Sequence, residues 1–505
     1  MGNPIIVIDL FAGPGGLSEG FARHNTKGSN TFEIGISIEK DATAFKTLLL
    51  RSIFRKFDYP KLPESYLDLI SGRINREEFL SNHAIKPLAE EALNEVKNVA
   101  LGDFSPQKID SWIKQKISSK HDWVLIGGPP CQAYSLVGRS KMISLDKEKY
   151  ESDHRHLLYK EYLRIIQKHE PPVFIMENVK GMLSSKLNEQ LIFKQILKDL
   201  KNPKKGLIYD IKSLTIEASS EELSPNDYVI KSEQYGIPQA RHRVILLGVR
   251  KDLSSKNHKI LQKKSIVTVN EALHGLPQIR SKFSKQEDTL INWIKCLHEI
   301  PKLIPKTYTN NHEFLLKEID IYLKKTDQLV GTGAEYIENN SYLKMPESVF
   351  NNWVRDSRLQ GITHHASRGH IKQDIQRYFF LSAFVASLGI QLKVNDLPKK
   401  LLPNHTNIYK DNIPFTDRFR VQAGGTFSST IVSHISKDGH HYIHPQPWQA
   451  RSLTVREAAR LQTFPDNYFF EGTRTQQYAQ VGNAVPPLLA NQIADVIASI
   501  LDELN

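Results

Sequence analysis

Short, wholly apolar runs separated by longer polar stretches dominate the first half of the 505-residue chain. Ile5-Ile6-Val7-Ile8, Phe32 to Ile38, Trp123-Val124-Leu125-Ile126, Pro172-Val173-Phe174-Ile175-Met176 and Val244-Ile245-Leu246-Leu247-Gly248-Val249 are five of them. Runs without polar alternation are what strands buried on both faces look like, so they predict an α/β protein with a doubly wound sheet. Arg155 to His169 carries an amphipathic helical period. Residues 50–98 are helix-like and charged, and they predict an insertion covering one sheet edge. From 251 to 430 the strand–helix alternation is lost, and short strands and helices mix with loops. Order returns at Arg451. Thr454-Val455-Arg456-Glu457 is a capping box that opens a helix over Val455 to Leu461, and Pro487 suits the start of a last helix, Leu488 to Leu504.

The ends of the apolar runs carry the polar chemistry. In open α/β sheets the carboxyl edge of the strands is where ligands collect. The first run leads into Asp9-Leu10-Phe11-Ala12-Gly13-Pro14-Gly15-Gly16-Leu17, a glycine turn of nucleotide-binding type, although its spacing is not GxGxxG. The second ends in Glu39, placed as acids that hold ribose hydroxyls are. Gly102-Asp103-Phe104 ends a further short segment and offers a carboxylate to an adenine amine. The third ends in Gly127-Gly128-Pro129-Pro130-Cys131-Gln132-Ala133-Tyr134-Ser135, a stiff turn carrying one of only two cysteines. A lone cysteine is more often a small buried apolar residue than a nucleophile. The fourth delivers Glu177-Asn178-Val179 to the same edge. Gln239, Arg241 and Arg243 alternate ahead of the fifth and share one face of an extended segment. Ser135 to Ser152 reads as a mobile lid.

Composition narrows the class. Forty percent hydrophobic and 24% charged residues suit an ordinary globular protein. No apolar run of membrane-spanning length stands out, and Met1 to Ile6 lacks the layout of a signal peptide. Cys131 and Cys296 allow neither a disulfide framework nor a cysteine zinc cage, and a reducing cytoplasm is expected. The histidine-rich segments 364–370 and 440–444 lack carboxylates at ligand spacing, so hydrogen bonding inside the fold or to phosphates is expected there, and no metal site. Net charge is +12 and the pI about 9.3, favouring a polyanionic partner. Residues 251–450 hold 27 Lys and Arg against 18 Asp and Glu, so the middle of the chain is the electrostatic footprint.

Taken in order, these motifs identify a family. Asp9 to Gly16, Glu39, Gly102-Asp103, Gly128-Pro129-Pro130-Cys131-Gln132, Asp153 to Tyr159, Glu177-Asn178-Val179, Gln239-x-Arg241-x-Arg243, Arg451 to Gln462 and Gln480 to Pro487 together resemble the DNA (cytosine-5) methyltransferases of bacterial type II restriction–modification systems. The match covers about residues 4–250 and 450–505. Lys40 departs from it, standing where some members place an aromatic residue.

The resemblance implies a Rossmann-like S-adenosylmethionine-dependent methyltransferase fold, a doubly wound mixed sheet, with a second, mixed α+β target-recognition domain. The implied domains are a catalytic one over 1–250, target recognition over 251–445, and a return to the catalytic domain over 446–505. It further implies S-adenosylmethionine as cofactor, held by Asp9, Phe11, Gly13, Gly15, Gly16, Leu17, Glu39, Asp103, Pro129 and Asn483. Cys131, Glu177, Arg241 and Arg243 are the implied catalytic residues. Pro130, Gln132, Ser135, Asn178 and Gln239 are implied on the substrate side. The expected reaction adds a methyl group to carbon 5 of a flipped-out cytosine in a specific double-stranded DNA sequence, through a Cys131 adduct. Protection from a cognate restriction enzyme, a monomer and a cytoplasmic, nucleoid-associated location complete the expectation. A tRNA cytosine-5 methyltransferase is the alternative within the motifs, and a non-catalytic DNA-binding relative would have lost Cys131 or Glu177. A nicotinamide dehydrogenase fits the first 40 residues only.

Overall fold

Register explains how the strand ends meet. The computed structural model describes residues 4–26, 28–57, 60–117, 122–130, 158–187, 190–253, 259–329, 331–338, 346–404 and 416–502. Eight strands form one mixed sheet: β1 (Ile5–Leu10), β2 (Phe32–Ile38), β3 (Val96–Lys97), β4 (Trp123–Gly127), β5 (Val173–Val179), β6 (Tyr209–Lys212), β7 (Val229–Lys231) and β8 (His242–Arg250). Their order is β6-β8-β5-β4-β1-β2-β3, with β7 also paired to β8. β1, β2, β3, β4 and β5 pair in parallel, and the four apolar runs that form β1, β2, β4 and β5 are almost fully buried.

β8 runs antiparallel to β5, with Arg243 opposite Val179 and Ile245 opposite Glu177. An antiparallel strand has its amino end where its parallel neighbours have their carboxyl ends. The segment before β8 therefore reaches the edge at which β1, β4 and β5 finish. The expected doubly wound α/β fold is present, and its mixed character comes from this part of the sheet.

Contacts divide the chain into two units. The first comprises 1–57, 80–265 and 484–505, and the second 58–79 and 266–483. These boundaries differ from those expected at 250 and 445. After β8 the chain stays on the first unit, where the Leu261 amide donates to the Leu214 carbonyl and the Lys264 amide to Gln234. The 50–98 insertion is also shared. Its first part completes helix α2 (Ala42–Arg55), and its last part forms Lys86–Glu95 and β3 on the free edge of β2. Asp58–Phe79 belongs to the second unit, where the buried Tyr66 hydroxyl donates to the Asn467 carbonyl and Arg76 pairs with Glu471.

Two helices flank the carboxyl edge in the first unit: α1 (Gly16–Ala22) and α3 (Leu158–His169), the described part of the amphipathic stretch. The C-terminal helix Pro487–Asp502 packs on α1. Gly16 permits the approach, since a Cβ there would lie 2.2 Å from the Val485 carbonyl oxygen. One stretch among the described residues, Arg474–Asp502, made of two successive helices, is long and apolar enough by length and composition to span a membrane, and 78% of its most apolar window is buried.

The second unit is built on helices Leu290–His298, His312–Thr326 and Lys372–Leu388, and the ladders among its described residues are two or three residues long. The expected helix Val455–Leu461 is present with its capping box, and Glu457 also takes a bidentate, fully buried fork from Arg451 at 2.6 Å on each arm. The histidine-rich segments serve this core. His365 contacts the Thr454 hydroxyl at 3.0 Å and the Pro277 carbonyl at 2.7 Å, and His370 contacts the Ser452 hydroxyl at 3.2 Å.

Burial pushes His365 down to about 4 and His370 to about 3. Below the ordinary histidine value of 6.5 the unfolded chain takes up protons that the folded chain refuses, so stability falls as pH falls. Each of the two is expected to remove about 1.4 kcal/mol per pH unit below that value, until its own folded value is reached. Urea midpoints of the second unit measured between pH 7 and pH 5 should fall accordingly, and His365→Gln should flatten part of the slope.

Candidate active site at the carboxyl edge

β1 ends in a turn with unusual backbone. Phe11 has φ of 56°, and Gly13 and Gly15 have φ of 57° and 91°. A bulky residue in the left-handed region is strained, and such strain gathers at functional sites. Glu39, one residue past β2, fastens the turn. Its Oε2 accepts the Gly13 amide at 2.8 Å and its Oε1 accepts the Asp41 amide at 2.7 Å. Burial raises the Glu39 carboxyl above its ordinary value, and these amide bonds work against that rise. Glu39 therefore shapes the turn. Leu17 is buried in α1 behind the turn, Asp103 is exposed beyond β3, and Asn483 is exposed at the end of the second-unit helix Arg474–Asn483.

Asp9 is the anomaly of this edge. It is fully buried, and neither carboxyl oxygen has a hydrogen-bond partner. An orphaned buried acid beside a strained, glycine-rich turn is what a site for a cation-bearing nucleoside would present, so these residues fit S-adenosylmethionine.

The other half of the edge is built by β4, β5 and β8. β4 ends at Gly127, opposite Met176, and Gly128-Pro129-Pro130 then runs past Glu177. A Cβ on Gly128 would stand 2.9 Å from Glu177 Oε2. The Asn178 side-chain amide, buried, donates to the Pro129 carbonyl at 3.4 Å. Asn178 thus braces the Pro-Pro turn. Arg243 Nε lies 2.9 Å from Glu177 Oε1, both side chains mostly buried. Burial lowers the Arg243 guanidinium, and the Glu177 charge opposes this.

Gln239 and Arg241 do not continue the strand. Both are buried in an irregular turn ahead of β8. The Ser232 hydroxyl donates to the Gln239 carbonyl at 2.7 Å and accepts the Arg241 amide at 2.9 Å. The expected extended segment with three residues on one face is replaced by this staple, because Ser232 offers both a donor and an acceptor. Pro130 is half-buried at the end of the described turn. Cys131, Gln132 and Ser135, with the lid expected over Ser135 to Ser152, lie outside the described residues.

Some contributors had no distinctive sequence signal. Ser232 is one. Glu19 of α1 is another: it is fully buried and receives a two-armed fork from Arg51 of α2, at 2.9 Å and 2.5 Å, which ties the helix after the glycine turn to the helix after Glu39. Gly128→Ala should fold with little loss of stability but displace the Glu177 carboxylate. Misplacement of a reacting group by about 1 Å can cost about 100-fold in rate, so kcat for the chemistry at this edge should fall by up to that amount while the melting temperature stays within a few degrees.

Comparison with known proteins agrees with the motifs and the fold. The family model for C-5 cytosine-specific DNA methylases matches residues 81–499. The type II methyltransferase M.Bpa9945I of Bacillus paralicheniformis is 33% identical over 99% of this chain and 99% of its own length. The DNA (cytosine-5-)-methyltransferase M.ApeKI of Aeropyrum pernix is 24% identical over 75% of this chain and 81% of its own. A crystal structure described as a DNA modification methyltransferase encoded within a prophage of E. coli shares the fold with a TM-score of 0.56, at 21% identity and 99% coverage of both chains.

Proposed function

Because the chain belongs to the C-5 cytosine-specific DNA methylase family, we propose that its carboxyl edge methylates carbon 5 of cytosine in one double-stranded DNA sequence, using Cys131 as nucleophile. The chain is a DNA (cytosine-5-)-methyltransferase of the type II restriction–modification kind. Its site roles, cofactor and biological setting belong to the proposal. The observation that carries the site is the Glu177–Arg243 pair beside the Gly128-Pro129-Pro130 turn that leads to Cys131.

S-adenosylmethionine, when bound, supplies a methyl group activated by its sulfonium. Asp9, Phe11, Gly13, Gly15, Gly16, Leu17, Glu39, Asp103, Pro129 and Asn483 are the residues proposed to hold it. Carbon 5 of cytosine is a poor nucleophile, and adding a thiolate to carbon 6 makes it enamine-like. Cys131 performs that addition. Glu177, taking up a proton from solvent as the base enters, donates it to ring N3 and accepts from the exocyclic amine, so that electron density moving into the ring is met by a proton donor. The guanidinium of Arg243 suits the O2 carbonyl, and its bond to Glu177 orients both groups. Loss of the carbon-5 proton to water then expels Cys131 and restores the ring. A base inside a duplex cannot reach such an edge, so it flips out. Pro130, Gln132, Ser135, Asn178 and Gln239 line the base pocket in this reading, with Arg241 supporting it. The basic residues 251–445 recognise the DNA, the protein acts as a monomer in the cytoplasm, and methylation protects the site from a partner endonuclease.

The test is transfer of labelled methyl from S-adenosylmethionine to mixed-sequence duplex DNA, with nucleoside analysis of the product. Label in 5-methylcytosine at one recurrent sequence is expected. A folded protein that binds the cofactor and labels tRNA but not DNA would overturn the reading.

A further inference from the structure

We propose that Asp9 is a neutral carboxylic acid in the cofactor-free chain and releases its proton when S-adenosylmethionine binds, so that cofactor binding is coupled to proton release. This rests on the reading of the glycine turn as the cofactor site. The starting point is geometric: Asp9 has no exposed surface and no hydrogen-bond partner on either oxygen. An ionised carboxylate in that position would have lost its water without replacement, and a buried acid escapes that cost by keeping its proton.

The groups facing Asp9 do not alter this. Arg55, from α2, favours ionisation, and Glu39, beyond β2, opposes it. Tyr162, from α3, gives Asp9 no donor, because its hydroxyl contacts the Leu125 and Ile175 carbonyls at 3.3 Å and 2.8 Å. Ser18, from α1, is the strongest of these neighbours and favours the ionised form of Asp9, although the hydrogen bond its hydroxyl makes goes to the Gly15 carbonyl at 3.3 Å. Burial outweighs Ser18 and the charges together and raises the Asp9 carboxyl to about 7. The cofactor changes the balance. Its sulfonium and ammonium outnumber its one carboxylate, so it brings net positive charge to a turn whose buried acid lacks a cation of its own at bonding distance. A cation beside a carboxyl favours the ionised form. The Asp9 O–H bond breaks heterolytically, the carboxylate is held ionised by the positive charge brought to the turn, and the proton leaves to buffer, with nothing oxidised or reduced.

The test is calorimetry of S-adenosylmethionine binding to the full chain without DNA, repeated in buffers of different protonation enthalpy from pH 6 to pH 8.5. Release of about half a proton is expected at pH 7, more at pH 6 and little at pH 8.5. Affinity should weaken by up to about tenfold per pH unit below 7. Asp9→Asn should bind with neither proton release nor this pH dependence. An infrared difference spectrum of the unmutated chain should show the carboxylic acid band lost on binding, so the proposal does not depend on the variant folding. Binding without proton release, or equal release by Asp9→Asn, overturns the coupling alone. Failure to bind S-adenosylmethionine at all overturns the cofactor reading and the coupling with it.

Discussion

Cys131→Ala is expected to reduce methyl transfer to background, while S-adenosylmethionine binding stays within a factor of two of the unmutated protein. Without addition at carbon 6 there is no electron-rich carbon 5, so the whole route is lost. The loss should exceed the roughly 10²- to 10⁴-fold typical of removing one acid or base. The only other thiol cannot substitute. Cys296 is buried in the second unit, its Sγ donates to the Lys372 carbonyl, and burial raises it to about 12. A thiol so held has almost no thiolate at neutral pH. Filter-bound label from tritiated cofactor reads the result directly. Activity within tenfold of the unmutated protein would exclude Cys131 as the nucleophile.

Glu177→Gln should lower kcat by about 10²- to 10⁴-fold, with S-adenosylmethionine affinity unchanged. The substitution keeps the side chain's shape and removes its acid. It also leaves the mostly buried Arg243 facing a neutral amide at 2.9 Å in place of a charge. The arginine then loses the interaction that opposes its burial, so a modest fall in melting temperature should accompany the loss of rate. Single-turnover measurements at saturating DNA separate the chemical step from binding. A kcat within threefold of the unmutated value would show that Glu177 only props Arg243.

The site was largely legible before the fold because its residues lie at the ends of strands whose apolar runs are unmistakable. Burial on both faces selects apolar residues at most positions, so Ile5–Leu10, Trp123–Gly127 and Val173–Val179 declare themselves locally, and the residues at and just beyond their ends share an edge by topology. The capping box at Thr454 is equally local, since its donors and acceptors lie within four residues.

What local pattern could not supply was pairing direction, desolvation and clearance. An apolar run reads the same in either direction, so only the folded sheet shows β8 antiparallel to β5, and only that direction carries Arg243 to Glu177. Gly128 looked like a turn glycine until Glu177 was found where its side chain would go. Residues 58–79 read as one insertion with their flanks, but Tyr66 and Arg76 find partners more than 390 residues away. Asp9 stood among the residues implied to hold the cofactor, with nothing in its neighbours along the chain to give its charge. Its charge depends on how many donors reach a buried oxygen, a quantity that exists only once the tertiary structure has excluded water and supplied none. The sequence by itself therefore determined which elements form and which residues reach the edge. The tertiary structure decided which of them touch, and in which protonation state.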